Sequence, residues 1–465
     1  MNNRKPTRED ISMKYPALLH LARLGYRFVP RREINRDPRT NILPEALRTA
    51  LERNNGTQLS DGDFSALMSA LQTMLNRADS GFAFHRALTE GCRGLRLLDF
   101  DHPENNLFQI ASEMACSDGK ARFLPDITVY VNGLPLAMIE LKAREARNGI
   151  REEYERMRRR FGSGQFRRFL QATQLWIFSN GQENRPETVR LQGGCFFAAA
   201  SEEDFPMYGP PARPKRSSVK LSPLSRETEQ RILCSQELMD LRGTRAFRQW
   251  RSPQTPAHRL LTFLLAPERF LFVLRYGVFF RAENGEPARR YMLDAEQLNA
   301  LFLMRAKCCR GYRNWTIPLQ GHGGRRRLAP TACALVRDWM PTAQVLWVER
   351  SQAGMEETAK EFLCQGAPMG EATLLSPETG GEVRLPEKPG KGRRVLFLSI
   401  PAPRYETEPG LRERLRKADP DATLIALGSE ELHEGGAPLY FRVHPGGKEA
   451  LPPKGNADLN PSAFP

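Results

Sequence analysis

The sequence predicts an α/β architecture, and three observations carry that reading. Apolar residues recur at helical spacing through 44–75, short runs rich in Leu, Ile, Val and Phe fill 96–142, and apolar runs alternate with helical patterns from about 312. The chain has 465 residues. At the usual domain size that length corresponds to about two to four domains, each able to bury its own core.

The elements follow in order. PEALRTALERN (44–54) places Leu47 and Leu51 on one helix face, and DFSALMSALQTML (63–75) does so with Phe64, Leu67, Leu71 and Leu75. Asp61, just ahead of that second run, is the expected N-cap. Strands are expected between 96 and 142, a very basic helical stretch over 146–172, and a further strand in LQATQLWIFSNG (170–181). These elements define a first domain over 1–203. Residues 204–223 hold five prolines and little apolar content, which reads as a linker or boundary loop. A helical connecting region is expected over 224–311, including PAHRLLTFLLAPERFLFVLRYGVFF (256–280). Runs such as AQVLWVE and RVLFLSI then mark an α/β layer over 312–443, and the Gly/Pro-rich residues 444–465 read as a poorly ordered tail.

Composition narrows the function. The net charge of +15 favours a polyanionic partner, because phosphates are the common target of clustered Arg and Lys. No apolar run approaches the ~18 residues of a membrane span, and the first residues lack the apolar core of a signal peptide. A cytoplasmic protein without membrane association is expected. Eight scattered cysteines form no CxxC pair, so reduced, mostly buried thiols are expected rather than a zinc cluster.

The most informative stretch is PDITVYVNGLPLAMIELK (125–142). Asn132-Gly133 between apolar runs signals a hairpin, because both residues tolerate positive φ. Folding back there brings Asp126 to the end that carries Glu140 and Lys142. A two-residue turn alone would pair Asp126 with Ile139 and put Glu140 on the other face. A three-residue loop over 132–134, or one bulge, pairs Asp126 with Glu140, and Pro135 makes an irregularity natural. In that register two carboxylates and an ammonium converge. Two hard oxygen donors with room for water suit Mg²⁺, which polarises a phosphate and helps form hydroxide. Lys142 would orient that water or stabilise developing negative charge.

PD-x(13)-ELK resembles the PD-(D/E)xK nuclease motif, and the surrounding residues resemble the N-terminal nuclease domain of type I restriction enzyme R subunits. The matching positions are Asp99-Phe100-Asp101, Pro103-Glu104-Asn105-Asn106, Phe108, Pro125-Asp126, Val131 to Leu136 and Glu140-Leu141-Lys142. RTNILPEALRTAL (39–51) and LWIFSNG (175–181) are similar to the family's early helix and following strand. The resemblance implies a restriction-endonuclease-like fold with Asp126, Glu140 and Lys142 as the catalytic and metal-binding residues. A further N-terminal acid often completes such a site, and Glu113 and Glu104 are the candidates. The family's Gln-x-x-x-Tyr on the next helix is altered, since Arg156 and Arg160 stand nearest those positions. That helix carries Arg151, Arg156, Arg158, Arg159 and Arg160, with Arg167 and Arg168 beyond, and would contact double-stranded DNA through its phosphates. Methyltransferase and specificity subunits are the partners the resemblance implies.

R subunits continue into a helicase motor, so the resemblance also implies an incomplete RecA-like lobe. Where the family has a phosphate loop, WHTQGSGKS, this chain reads NWTIPLQGHGGRRRLA (314–329). Trp315, Gln320, Gly321 and Gly323 are kept, but Gly324 replaces the lysine that meets the terminal phosphates and Arg325 the serine that holds Mg²⁺. VLWVER (345–350) resembles the next motor motif. TLIALGSEELHEGG (423–436) is similar to a DEAH box in which Glu430 replaces the metal-side Asp while Glu431 and His433 are kept. A second motor lobe is not expected within these residues. The expectation is a Mg²⁺-dependent endonuclease that does not use ATP, with a non-catalytic DNA-binding or regulatory subunit as the alternative.

Overall fold

The computed structural model describes residues 10–143, 149–181, 195–198, 219–235, 238–250, 256–282, 285–309, 311–317, 319, 322–368, 370, 372–377, 383–387, 393–399 and 410–428. Most of the expected linker and all of the tail lie outside these residues. The chain divides into two compact units, Met1–Phe279 with Gly285–Met292, and Phe280–Asn284 with Leu293–Pro465. Both mix helices and sheet. No helix among the described residues is long and apolar enough to cross a membrane.

The first unit contains, in chain order, α1 (Tyr15–Arg23), β1 (Arg27–Phe28), α2 (Pro44–Asn55), α3 (Asp61–Leu75), α4 (Phe82–Glu90), β2 (Phe108–Ser112), β3 (Cys116–Asp118), β4 (Ala121–Phe123), β5 (Ile127–Val131) and β6 (Leu134–Leu141). It continues through α5 (Gly149–Gly162), α6 (Arg167–Ala172), β7 (Leu175–Ser179), β8 (Cys195–Ala198), α7 (Arg226–Ser235), α8 (Arg245–Trp250), α9 (Pro256–Leu265) and α10 (Pro267–Phe272). Six strands form one mixed sheet in the order β1-β2-β5-β6-β7-β8. The β5–β6 pair is antiparallel and β6–β7 parallel.

Local chemistry fixes the helix ends. Pro44 opens α2 and Gly56, at φ +62°, closes it. The N-cap of α3 is Ser60 rather than the expected Asp61. Its side chain accepts from the Asp63 amide, and Asp61 instead pairs with Arg48 at 2.6 Å. α5 and α6 cover one face of the sheet, where Ile150, Tyr154, Met157 and Phe169 pack with Met138, Trp176 and Phe178.

The hairpin satisfies both sequence arguments at once. Its turn has two residues, with Asn132 at φ +52° and Gly133 at φ +75°, and Val131 pairs with Leu134. A bulge then follows, because Tyr130 pairs with Pro135 while Val129 pairs with Ala137. Leu136 is the extra residue. Beyond it Ile127 pairs with Ile139, so the next positions out, Asp126 and Glu140, stand opposite each other.

The turn end is clamped. Asn132 Nδ2 donates to Leu97 O at 2.9 Å and to Asn106 Oδ1 at 2.8 Å, and its Oδ1 accepts from the Leu107 amide. Asp99 in turn accepts from the His102 amide and Asn105 Nδ2. Gly133 touches the start of α2 so closely that a Cβ would come within 2.6 Å of Leu43 O. The Asp99, Asn105, Asn106 and Asn132 signature is thus a structural clasp at the end of the hairpin away from Asp126 and Glu140.

The second unit contains α11 (Ala295–Cys309), β11 (Asn314–Ile317), α12 (His322–Trp339), β12 (Gln344–Val348), α13 (Gln352–Cys364), β13 (Thr373–Leu375), β14 (Arg394–Ser399), α14 (Gly410–Ala418) and β15 (Thr423–Leu427); the short strands at Val278–Arg281 and Arg289–Met292 precede it. Its sheet runs β11-β15-β14-β12-β13 with every pair parallel. The strands are continuous apolar runs, as suits a sheet covered on both faces.

Candidate active site

Asp126 precedes β5, and its side chain is 18% exposed. The Leu141 amide donates to its Oδ2 at 2.8 Å. Glu140, near the end of β6, is buried, and its Oε1 has no hydrogen-bond partner. Burial is the largest cause holding its carboxyl well above the ordinary range. Repulsion from Asp126 and then Glu153 adds to this, while Lys142 and Arg160 oppose it. Lys142 continues the strand, its amide donating to Ser179 O at 2.8 Å. The structure therefore sets Asp126 opposite Glu140, with Lys142 near enough to act on Glu140 through its charge.

Of the two further acids, Glu113 is at the site and Glu104 is not. Glu104 sits on the short turn Pro103–Asn105, beside the Asn132 clasp. Glu113 follows β2 with φ +50°, a conformation that costs a non-glycine residue roughly 1–2 kcal/mol. Its amide donates to Asp126 O at 3.2 Å. The buried Lys14 ammonium lies 2.7 Å from Glu113 Oε1 and 3.7 Å from Asp126 Oδ1. The sequence reading missed Lys14, which offers no motif and sits in the run just before α1.

It also missed Glu153. This acid lies on α5 with Lys142 Nζ at 3.2 Å and Arg156 Nη1 at 2.9 Å from Oε2, and Arg160 Nη1 3.9 Å from Oε1. A signal was present: Glu153 falls in the i, i+3, i+4, i+7 stripe of Ile150, Tyr154 and Met157, where a charge stands out. Arg156 and Arg160 are thus drawn toward Glu153, and Arg160 also lies 4.3 Å above the Phe123 ring. Arg158 and Arg159 are exposed, with Arg158 5.9 Å from the Tyr154 ring. Arg151 is in the same helix, and its side chain lies outside the described residues.

The donor set can be weighed against a divalent cation. Among the described residues no three His, Cys, Asp or Glu side chains form a metal-holding group. Asp126 and Glu140 supply two carboxylates, which leaves most of a Mg²⁺ shell to water and phosphate, as that ion prefers. The buried Glu140 Oε1 without a partner, beside a second carboxylate, is an arrangement that a cation relieves. The residues fit.

In the second unit the segment compared above with a phosphate loop lies between a parallel strand (β11) and a helix (α12). Gln320 and Gly321 lie outside the described residues, and Gly323 falls in the first turn of α12. Gly324 O accepts from Gln297 Nε2 at 2.7 Å. Arg325 is buried, and burial lowers its pKa while Glu349 opposes that shift. Glu430, Glu431 and His433 lie outside the described residues.

The N-terminal unit thus presents a mixed sheet in which a bulged hairpin sets Asp126 opposite Glu140. Residues 7–189 match the family model for the type I restriction enzyme R protein N terminus. The type I restriction enzyme SsaAORF53P endonuclease subunit of Staphylococcus saprophyticus is 32% identical over 152 residues, 29% of this chain and 14% of that protein. The SauCOLORF180P endonuclease subunit of Staphylococcus aureus strain COL is 31% identical over 189 residues, 38% of this chain and 19% of that protein. The matched stretch thus covers less than a fifth of either relative.

Proposed function

We propose that this chain is a Mg²⁺-dependent DNA endonuclease of restriction or phage-defence type, acting in the cytoplasm, with a PD-(D/E)xK centre at Asp126, Glu140 and Lys142. The observation that carries the reading is the Leu136 bulge, which sets Asp126 opposite Glu140 and leaves Glu140 Oε1 buried without a partner. Asp126 and Glu140 would hold the ion, and Glu113, paired with Lys14, stands beside them. Bound Mg²⁺ supplies Lewis-acid polarisation of the scissile phosphate and a more acidic water. Lys142 orients that water or meets the charge that develops on the phosphate. Exposed Arg158 and Arg159, with Arg151 on the same helix, contact the DNA backbone. The similarity to R subunits supports methyltransferase and specificity subunits as partners.

We read the second unit as a RecA-like lobe whose motor activity is lost. Glycine at 324 offers no ammonium to the terminal phosphates, and the Arg325 guanidinium cannot coordinate Mg²⁺. This same damage supports a second reading, a non-catalytic DNA-binding or regulatory subunit of a restriction system.

Plasmid cleavage separates the two. The purified chain is incubated with supercoiled plasmid and Mg²⁺, with and without ATP, beside Asp126→Ala. Cleavage that is indifferent to ATP and lost in the variant is the expected result. Salt-sensitive DNA binding with no cleavage under any condition would select the second reading.

A further inference from the structure

Glu153 is 2% exposed, and a carboxylate so placed is costly unless cations pair with it. Its partners are Lys142, Arg156 and Arg160. Two of them sit on its own helix, at i+3 and along the same face. Lys142 does not; it comes from the end of β6 and is the cation through which α5 reaches the strand bearing Glu140.

The geometry sets two acids in competition for one ammonium. Lys142 and Glu140 are two apart on an extended strand and share a face. Glu140 lies within the field of the Lys142 ammonium, so a lysine released there is drawn toward its unbonded Oε1. The lysine Nζ instead stands 3.2 Å from Glu153 Oε2 in an ion pair that is not a hydrogen bond, while Glu140 Oε1 has neither kind of partner among the described residues.

We propose that Glu153 is a positioning residue of the centre: it holds the Lys142 ammonium on the α5 side and so keeps Glu140 Oε1 open for a divalent cation. The assignment rests on the nuclease reading for its purpose but not for its test. Lysine carries about 2 kcal/mol of rotamer entropy, and a fixed acid at 3.2 Å helps to limit it to one place. The position lies near the altered Gln-x-x-x-Tyr element, so Glu153 gives α5 a role in the centre with different side chains.

The test uses the full chain and Mg²⁺ alone, with affinity read by calorimetry. Glu153→Gln keeps the shape and removes the charge, so Lys142 turns to Glu140 and Mg²⁺ affinity falls about fivefold or more. Glu153→Asp keeps the charge and recovers part of the loss. Lys142→Met in the Glu153→Gln background recovers most of it, because no ammonium is left to occupy Glu140. Unchanged Mg²⁺ affinity in Glu153→Gln, or no recovery in the double variant, overturns the proposal. Cleavage is measured in parallel: Glu153→Gln should lower kcat with KM for plasmid unchanged. A chain that shows the Mg²⁺ pattern but never cuts DNA would fail the nuclease reading and leave the role of Glu153 standing.

Discussion

Each unit of the molecule buries a glutamate at the end of a strand, and the two are equally hidden. Glu140 is 5% exposed and Glu349 is 4% exposed. Glu349 Oε1 accepts from Trp347 Nε1 at 2.9 Å and from Thr358 Oγ1 at 2.8 Å, and the buried Arg325 lies within its field. Glu140 Oε1 accepts nothing and faces a second carboxylate. Burial is therefore not what distinguishes a site from a piece of core. The difference is whether the protein supplies the partners itself. Glu349 is satisfied by its own unit, whereas Glu140 Oε1 has no hydrogen-bond partner among the described residues.

The comparison is sharpened most by Glu140→Gln. Loss of one carboxylate from the pair should abolish measurable Mg²⁺ binding and reduce plasmid cleavage by at least about 100-fold. The same change should stabilise the metal-free protein at pH 8. The folded-state pKa of Glu140 lies above its unfolded value of about 4.3. The folded form therefore binds the proton more tightly, and that contribution to stability is present below the unfolded pKa. It is lost as pH rises through the folded value, beyond which the ionised group is a burden that glutamine lacks. Melting curves in EDTA at pH 5 and pH 8 test this, with the variant's advantage growing toward pH 8. A variant less stable than wild type at pH 8 would remove the contrast between the two glutamates.

Glu349→Leu should go the other way. It strands the buried Trp347 Nε1 and Thr358 Oγ1, at a cost of about 2–4 kcal/mol in chemical denaturation. Opposite signs for two equally buried glutamates are what an unbonded carboxylate and a finished core require.

Much of this was legible in the sequence. Asn132-Gly133 named the turn, the helical stripes named α2 and α3, and the spacing of Asp126, Glu140 and Lys142 named the cluster. The register was legible only as a pair of alternatives. A two-residue turn and a bulge are both local, but the bulge lies at Leu136, and nothing in an apolar run marks which residue goes unpaired. Lys14 and Glu153 were hidden for different reasons. Lys14 reaches Glu113 across 99 residues of chain, so no spacing argument finds it. Glu153 was visible as a charge in an apolar stripe, but REEYE reads first as a solvated, basic helix. Tertiary packing turned Glu153, with Arg156 and Arg160, toward the site.

Lys14 gives a smaller effect that probes the same balance. Its ammonium stands between Glu113 and Asp126, where it partly does the work of a cation and repels an incoming one. Lys14→Gln should tighten Mg²⁺ binding by roughly fivefold, the scale of about 1 kcal/mol expected for a single charge at a few ångströms in partly wet surroundings. Calorimetry with Mg²⁺ alone reads it. Weaker binding in the variant would mean that Lys14 holds Glu113 in its strained conformation for the metal, rather than competing with it.

The smallest expected effect is none at all, and it belongs to the second unit. Millimolar Mg·ATP should yield no phosphate release and no shift of melting temperature in the wild-type chain. The reason lies in two side chains rather than in the fold, since β11 and α12 supply the strand and helix that a phosphate loop joins. A phosphate loop binds through backbone amides, a lysine ammonium and a hydroxyl on Mg²⁺. In the proposed correspondence the ammonium position is Gly324, whose carbonyl accepts from Gln297, and the hydroxyl position is the buried Arg325. Phosphate release above background would mean that another cation reaches the γ-phosphate. The two units would then differ in which cation each awaits, and not in whether each awaits one.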